Sequence, residues 1–304
     1  MSAPGRPVAD PRRALLYMVA FASLWGAVEA IAAPVLHRLP GYQVVWSRYA
    51  VHLALMLAVW GWREPSSLWR THRPGFQMAR SMLMLGMPAS WILAMEHGIR
   101  PHALMAVFWL SPLLILSIAH AWCGDRARPA VWLAASVAFA GALLLHPPTG
   151  FESMASLALP LGMALSFSLY AVMTRALRGE RLRANLFWTA LGVFAVLTPA
   201  MPFVWTPPSS HDALVLAAVG VLGFLALAAL DRAAHAAPLS VTAPFIYLQI
   251  PVLLGLLIAA GADIGLSPRR AALAVLLIVG SAGVLWVFES HSRAATARAA
   301  GAHR

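Results

Sequence analysis

Between Ala14 and Leu36 the chain carries a single charged residue, Glu29. At ~1.5 Å per residue such a run reaches about 34 Å as a helix, enough to cross a hydrocarbon core of ~30 Å. The pattern recurs to the end of the sequence. Apolar runs separated by short turns rich in Gly, Pro and Arg predict ten helices, near 14–36, 43–61, 76–97, 101–122, 129–146, 154–177, 184–205, 211–230, 238–260 and 269–289. Composition excludes a soluble domain, because 61% of the 304 residues are hydrophobic, 11% are charged and the mean hydropathy is +0.74. The expected fold class is an all-α membrane protein of ten transmembrane helices.

Charge then orients the helices. All 22 basic residues are arginine, and most fall in or beside the tails and the even-numbered connections, with Arg63, Arg70, Arg73 and Arg80 at the second and Arg232 at the eighth. Cationic short loops stay on the cytoplasmic side, so both termini are expected there, with tails at 1–13 and 290–304 and the chain in the inner (cytoplasmic) membrane. The formal charge of +11 could suggest nucleic acid, but arginines spread over loops beside apolar helices read as topology signals and contacts to the lipid bilayer. Cys123 is the only cysteine, which excludes an internal disulfide.

An internal repeat adds a second constraint. The segment starting at Ser111 aligns with the one starting at Ile250, pairing Pro112 with Pro251, Pro129 with Pro268 and Gly141 with Gly280 at one offset. A similar echo joins "SLWGA" at Ser23 to "SLYAV" at Ser168. Two five-helix units, 14–146 and 154–289, follow. Five spans per unit is odd, so the two units enter the membrane in opposite directions and form an inverted repeat.

The motifs "LWGA" at Trp25-Gly26, "SRYAVHLALM" around Arg48, "RPGFQMARS", "SPLL" and "APFIYLQIP" resemble, in order and spacing, the drug/metabolite transporter superfamily in its ten-helix EamA-type branch. The resemblance covers about Leu15 to Glu289. It departs at Gly124-Asp125, where the family usually has Gly-Glu, and at the loosened "GADIG" around Asp263. It implies secondary transport of a small organic metabolite or drug-like compound, with export the first expectation and import of a cofactor-like or nucleoside-like metabolite the alternative.

Within the membrane, Arg48 and Glu29 call for an explanation. Counted from the helix ends they lie at nearly one depth, and a lone charge there costs roughly 2.5–3.5 kcal/mol, so an Arg48–Glu29 ion pair with His52 one turn below is expected. Three readings stay open: a structural pin between the first two helices, a group that binds or gates substrate, and an arginine that snorkels outward. Trp25, Trp91, Trp109 and Tyr247 fall at mid-membrane depth and could line a pocket for flat solutes or serve as packing. Gln249 is the uncharged polar candidate beside them. Pro112 and Pro251 each remove a helical hydrogen bond at matching positions and are the hinge candidates.

Catalytic constellations are absent from the sequence. It contains no His-Glu-x-x-His helix, no lysine-bearing phosphate loop and no histidine spacing suited to a metal. An integral-membrane enzyme is therefore the weaker alternative, and no cofactor or metal is expected. The expected partners are a small organic solute, the bilayer, a proton or substrate gradient, and a second copy of the chain as homodimer.

Overall fold

A computed structural model of the chain describes residues 10–151, 153–262 and 265–301. Residues 1–9 and 302–304 of the expected tails, and Asp263, lie outside the described residues. Among the described residues all regular structure is helical. Among these residues nine helices are long and apolar enough to cross a membrane: α1 (Pro11–Leu36), α2 (Gly41–Gly61), α3 (Pro74–Glu96), α4 (Pro101–Cys123), α6 (Ala155–Ala176), α7 (Leu182–Val204), α8 (Ser210–Ala236), α9 (Leu239–Ala259) and α10 (Pro268–Ser290). Between them, α5 (Pro129–Leu145) is as apolar but has only 17 residues.

Local chemistry accounts for the boundaries. Proline opens α1, α3, α4 and α5, where its missing N–H costs nothing and its fixed φ suits the first turn. Asp10 caps α1 by accepting from the Arg13 amide at 3.2 Å, and Ser209 caps α8 through the Asp212 amide at 3.1 Å.

The spans α4 and α9 are each interrupted near the middle. In α4 the regular helix stops at Phe108 and restarts at Ser111. Pro112 has no N–H for the Phe108 carbonyl four residues back, and the Ser111 hydroxyl donates to that carbonyl instead. In α9 a single turn, Leu239–Thr242, gives way to a tighter helix over Ala243–Leu248 before Gln249–Ala259 resumes the α geometry. The breaks meet: the Tyr247 hydroxyl donates to the Trp109 carbonyl at 2.8 Å, satisfying a backbone acceptor that no water can reach in hydrocarbon.

The most extensive helix packings are α1 on α8, α1 on α9, α3 on α6 and α5 on α10, followed by α4 on α6, α2 on α8, α3 on α7 and α2 on α7. Small residues permit the closest approaches. A Cβ on Gly220 would stand 2.4 Å from Val51 Cβ, and one on Gly192 would stand 2.4 Å from Ser81 Cβ, so α2–α8 and α3–α7 both require glycine.

Two charge placements differ from expectation. α8 runs on to Ala236, past the expected end near 230, which puts Asp231 inside the helix rather than at a solvated terminus. Arg80, expected beside a loop, lies more than a turn inside α3 and is 1% exposed. Each is retained at depth because the other helices supply partners.

Candidate functional site

A cavity of about 310 Å³ lies among α1, α2, α3, α4, α6, α8 and α9, in the half of the bundle toward the Leu36–Gly41 turn. Its walls are largely apolar, with Val28, Val45, Met87, Met105 and Leu253 contributing. Four sequence candidates line it: Trp25, Glu29, Arg48 and Trp91.

The expected Arg48–Glu29 ion pair is absent. Arg48 instead lies over two rings, its guanidinium carbon 5.1 Å from the Trp25 centroid and 4.9 Å from that of Tyr49, with Nη2 3.4 Å from the Tyr49 hydroxyl. Glu29 accepts from Trp25 Nε1 at 3.2 Å, and Arg48 and Gln249 are its other polar neighbours. The physical reason is that the Trp25 indole partners each group, its face taking the cation and its N–H donating to the carboxyl group. Arg48 is 9% exposed, and its Nε has no hydrogen-bond partner. The α8 face beside it is glycine, and a Cβ on Gly223 would come within 3.1 Å of Arg48 Cδ.

The remaining candidates stand around this chamber. His52 is one turn below Arg48 but packs between Tyr49 and Phe224, with ring centroids 6.1 and 4.9 Å away, and does not reach the lining. Trp109 lines an adjoining cavity of about 690 Å³ that shares His146, Leu253 and Leu257 with the first. Tyr247 and Gln249 are buried behind it at 0% and 2% exposure. Pro112 and Pro251 sit in the first turns of the resumed helices of α4 and α9.

Toward the arginine-rich face the chamber is succeeded by a buried polar cluster that the sequence reading missed. Arg80 donates to Thr174 at 3.0 Å, Gln77 at 3.1 Å, Thr189 at 2.8 Å and the Asn185 carbonyl at 2.5 Å. Its Nη1 is 3.9 Å from Asp231, which accepts from Asn185 Nδ2 at 3.0 Å. Asn185 also accepts from Gln77 at 2.7 Å, and the Tyr170 ring lies 5.2 Å from the guanidinium. Four helices, α3, α6, α7 and α8, are tied at one level. The signal in sequence was Gln77, Arg80 and Ser81 at i, i+3 and i+4, one polar face on an apolar helix.

The two ends of the bundle are fastened differently. On the Leu36 side, Arg38 pairs with Asp212 at 2.5 Å, a contact that holds the Arg38 pKa above its ordinary value, and the Gln43 side chain exchanges two hydrogen bonds with the Thr206 backbone. On the arginine-rich side, Arg183 meets Glu64 at 2.6 Å, Glu180 accepts from the His72 amide at 3.0 Å, and Arg175 donates to the Ala234 carbonyl at 2.6 Å. Among the described residues no group of three or more His, Cys, Asp or Glu could hold a metal.

No family model matches the chain. It is similar to the protein named RarD of Streptomyces exfoliatus, 28% identical over 250 residues, covering 76% of this chain and 75% of that one. A riboflavin transporter of Rhizobium johnstonii is 28% identical over 190 residues, covering 60% and 61%. An S-adenosylmethionine uptake transporter of Rickettsia bellii is 23% identical over 217 residues, covering 71% and 74%. A solved protein crystal structure superposes with a TM-score of 0.79 at 22% identity, over 90% of this chain and 96% of that chain, a likeness of fold. The chain is a multi-pass helical membrane protein similar in sequence to proteins named as transporters of small solutes.

Proposed function

We propose that the chain is a secondary transporter of the drug/metabolite, EamA type, moving a small organic solute across the inner membrane by alternating access. The observation that carries this reading is the 310 Å³ chamber that reaches toward one face while the Arg80 cluster fills the bundle on the other side. That volume is at the lower end of the ~300–1,000 Å³ of small-molecule sites. In this arrangement Trp25 and Trp91 offer ring faces to a flat solute, and Arg48 offers the guanidinium edge left without a protein acceptor. Glu29 accepts from an N–H of the solute.

The packing supports ten spans as two inverted five-helix units. When α1–α5 are matched to α6–α10, the α1–α8 contact becomes α6–α3, α2–α8 becomes α7–α3, α1–α9 becomes α6–α4, and α2–α7 and α5–α10 map onto themselves. The broken helices α4 and α9 then correspond, as in transporters whose sites lie where paired discontinuous helices meet. With the arginine-rich face cytoplasmic, both termini are cytoplasmic and the chamber belongs to the outward-facing state. Opening the Arg80 cluster while the Arg38–Asp212 side closes would complete the exchange.

The second reading concerns direction. Export is the first expectation; the relative named for S-adenosylmethionine uptake supports the inward alternative, and the relative named for riboflavin supports a ring-bearing solute. Purified protein in liposomes, offered S-adenosylmethionine, riboflavin and smaller heteroaromatic metabolites on either side with and without a pH gradient, tests both. The expected result is saturable movement of at least one solute, recovered chemically unchanged. Folded protein that moves none of them, or that converts one to a product, would overturn the assignment.

A further inference from the structure

A second groove of about 880 Å³ lies on the arginine-rich side between α1, the end of α2, the start of α7 and the end of α8. It shares no lining residue with the solute chamber. Its construction is graded with depth. At the helix ends stand Arg181, Arg183 and Arg232, with Glu64 the single acid on the lining. Below them the walls are Ala20 and Leu24 of α1 and Leu225 and Ala228 of α8. From Arg232 down to Phe224 is about 12 Å of helix.

The charges are unevenly matched. Arg183 pairs with Glu64 at 2.6 Å and lies 5.2 Å from the Trp60 centroid. Among the described residues Arg232 has only Tyr17, its guanidinium 5.7 Å from the ring centre and 3.4 Å from the hydroxyl, and exposed Arg181 has no carboxylate within 4.0 Å. An occupant must therefore bring negative charge to the rim and hydrocarbon to the slot. We propose that this groove is a binding site for one anionic phospholipid, its phosphate among Arg181, Arg183 and Arg232 and an acyl chain along Leu24, Leu225 and Ala228. A free anion has no use for the apolar wall, and a neutral lipid leaves two guanidiniums unmatched.

Native mass spectrometry of the detergent-purified chain tests this with phosphatidylglycerol, chain-matched phosphatidylcholine and inorganic phosphate as probes. One phosphatidylglycerol should be retained in preference to phosphatidylcholine and resist competition by phosphate. The double variant R181Q/R232Q should lower that retention by roughly thirtyfold, at the usual contribution of an arginine near an anionic surface. Ala228→Phe, which fills the slot and leaves the arginines in place, should lower it as well. Equal retention of phosphatidylcholine, full displacement by phosphate, or either variant holding the lipid as the parent does overturns the site.

Discussion

The Trp25 indole engages both Arg48 and Glu29, its face 5.1 Å from the guanidinium carbon and its Nε1 3.2 Å from the Glu29 carboxyl oxygen. One ring therefore gives each group a partner, and both stay on the cavity wall. A cation on a desolvated aromatic face gains about 0.5–2 kcal/mol.

A double-mutant cycle between Arg48→Ala and Trp25→Ala should show a coupling of about 0.5–2 kcal/mol by thermal unfolding in detergent. The cycle between Arg48→Ala and Glu29→Gln should show less. If the second coupling exceeds the first, the carboxylate is the true partner of Arg48.

Removing the centre of the buried cluster should also be costly. Arg80→Met takes the donor from Thr174, Gln77, Thr189 and the Asn185 carbonyl and leaves Asp231 to Asn185 and to His235, 3.1 Å away, so the expected loss of stability is about 1–3 kcal/mol. Arg80→Lys, which keeps the charge but cannot reach Thr174, Thr189 and the Asn185 carbonyl together, should recover only part of it. Denaturation midpoints of the purified variants measure both, and a neutral Arg80→Met would show that the cluster does not hold the bundle.

Tyr247→Phe deletes the 2.8 Å bond to the Trp109 carbonyl and leaves that carbonyl without its hydroxyl donor between two broken helices. A destabilisation of about 1–3 kcal/mol is expected, with the helix content of the circular dichroism spectrum unchanged. Loss of less than about 0.5 kcal/mol would mean that the broken segments are satisfied without it.

Gly220→Ala should destabilise by about 1–3 kcal/mol, because the new Cβ would stand 2.4 Å from Val51 Cβ on the neighbouring helix. Gly255 is the control, since a Cβ there meets nothing within 4 Å, and its alanine variant, inside a helix, should unfold no earlier than the parent. The two unfolding curves need only be compared with each other.

Reporter fusions address orientation. Junctions at Ser66 and Gly179 should report the cytoplasm, and junctions at Pro148 and Pro208 the opposite side. Agreement at Ser66 together with reversal at Pro148, Gly179 and Pro208 would mean that α5 does not cross.

What the sequence determined by itself is the membrane environment and the placement of the helices. Apolar runs about twenty residues long, with proline at their first turns, are local signals that hydrocarbon enforces without reference to the rest of the chain. Such signals also placed Arg48 and Glu29 at one depth and marked Pro112 and Pro251, next to which the chain does depart from regular helix. Partnership was decided only by tertiary structure. Sequence depth could bring Arg48 level with Glu29, but not show that Trp25 would engage them both. Nor could it show that Arg80, near the start of its helix, would be buried against Asn185 and Asp231 from two helices more than a hundred positions away. A helix end reads as solvated until its neighbours are known, because the energy of a buried charge depends on acceptors that distant segments supply.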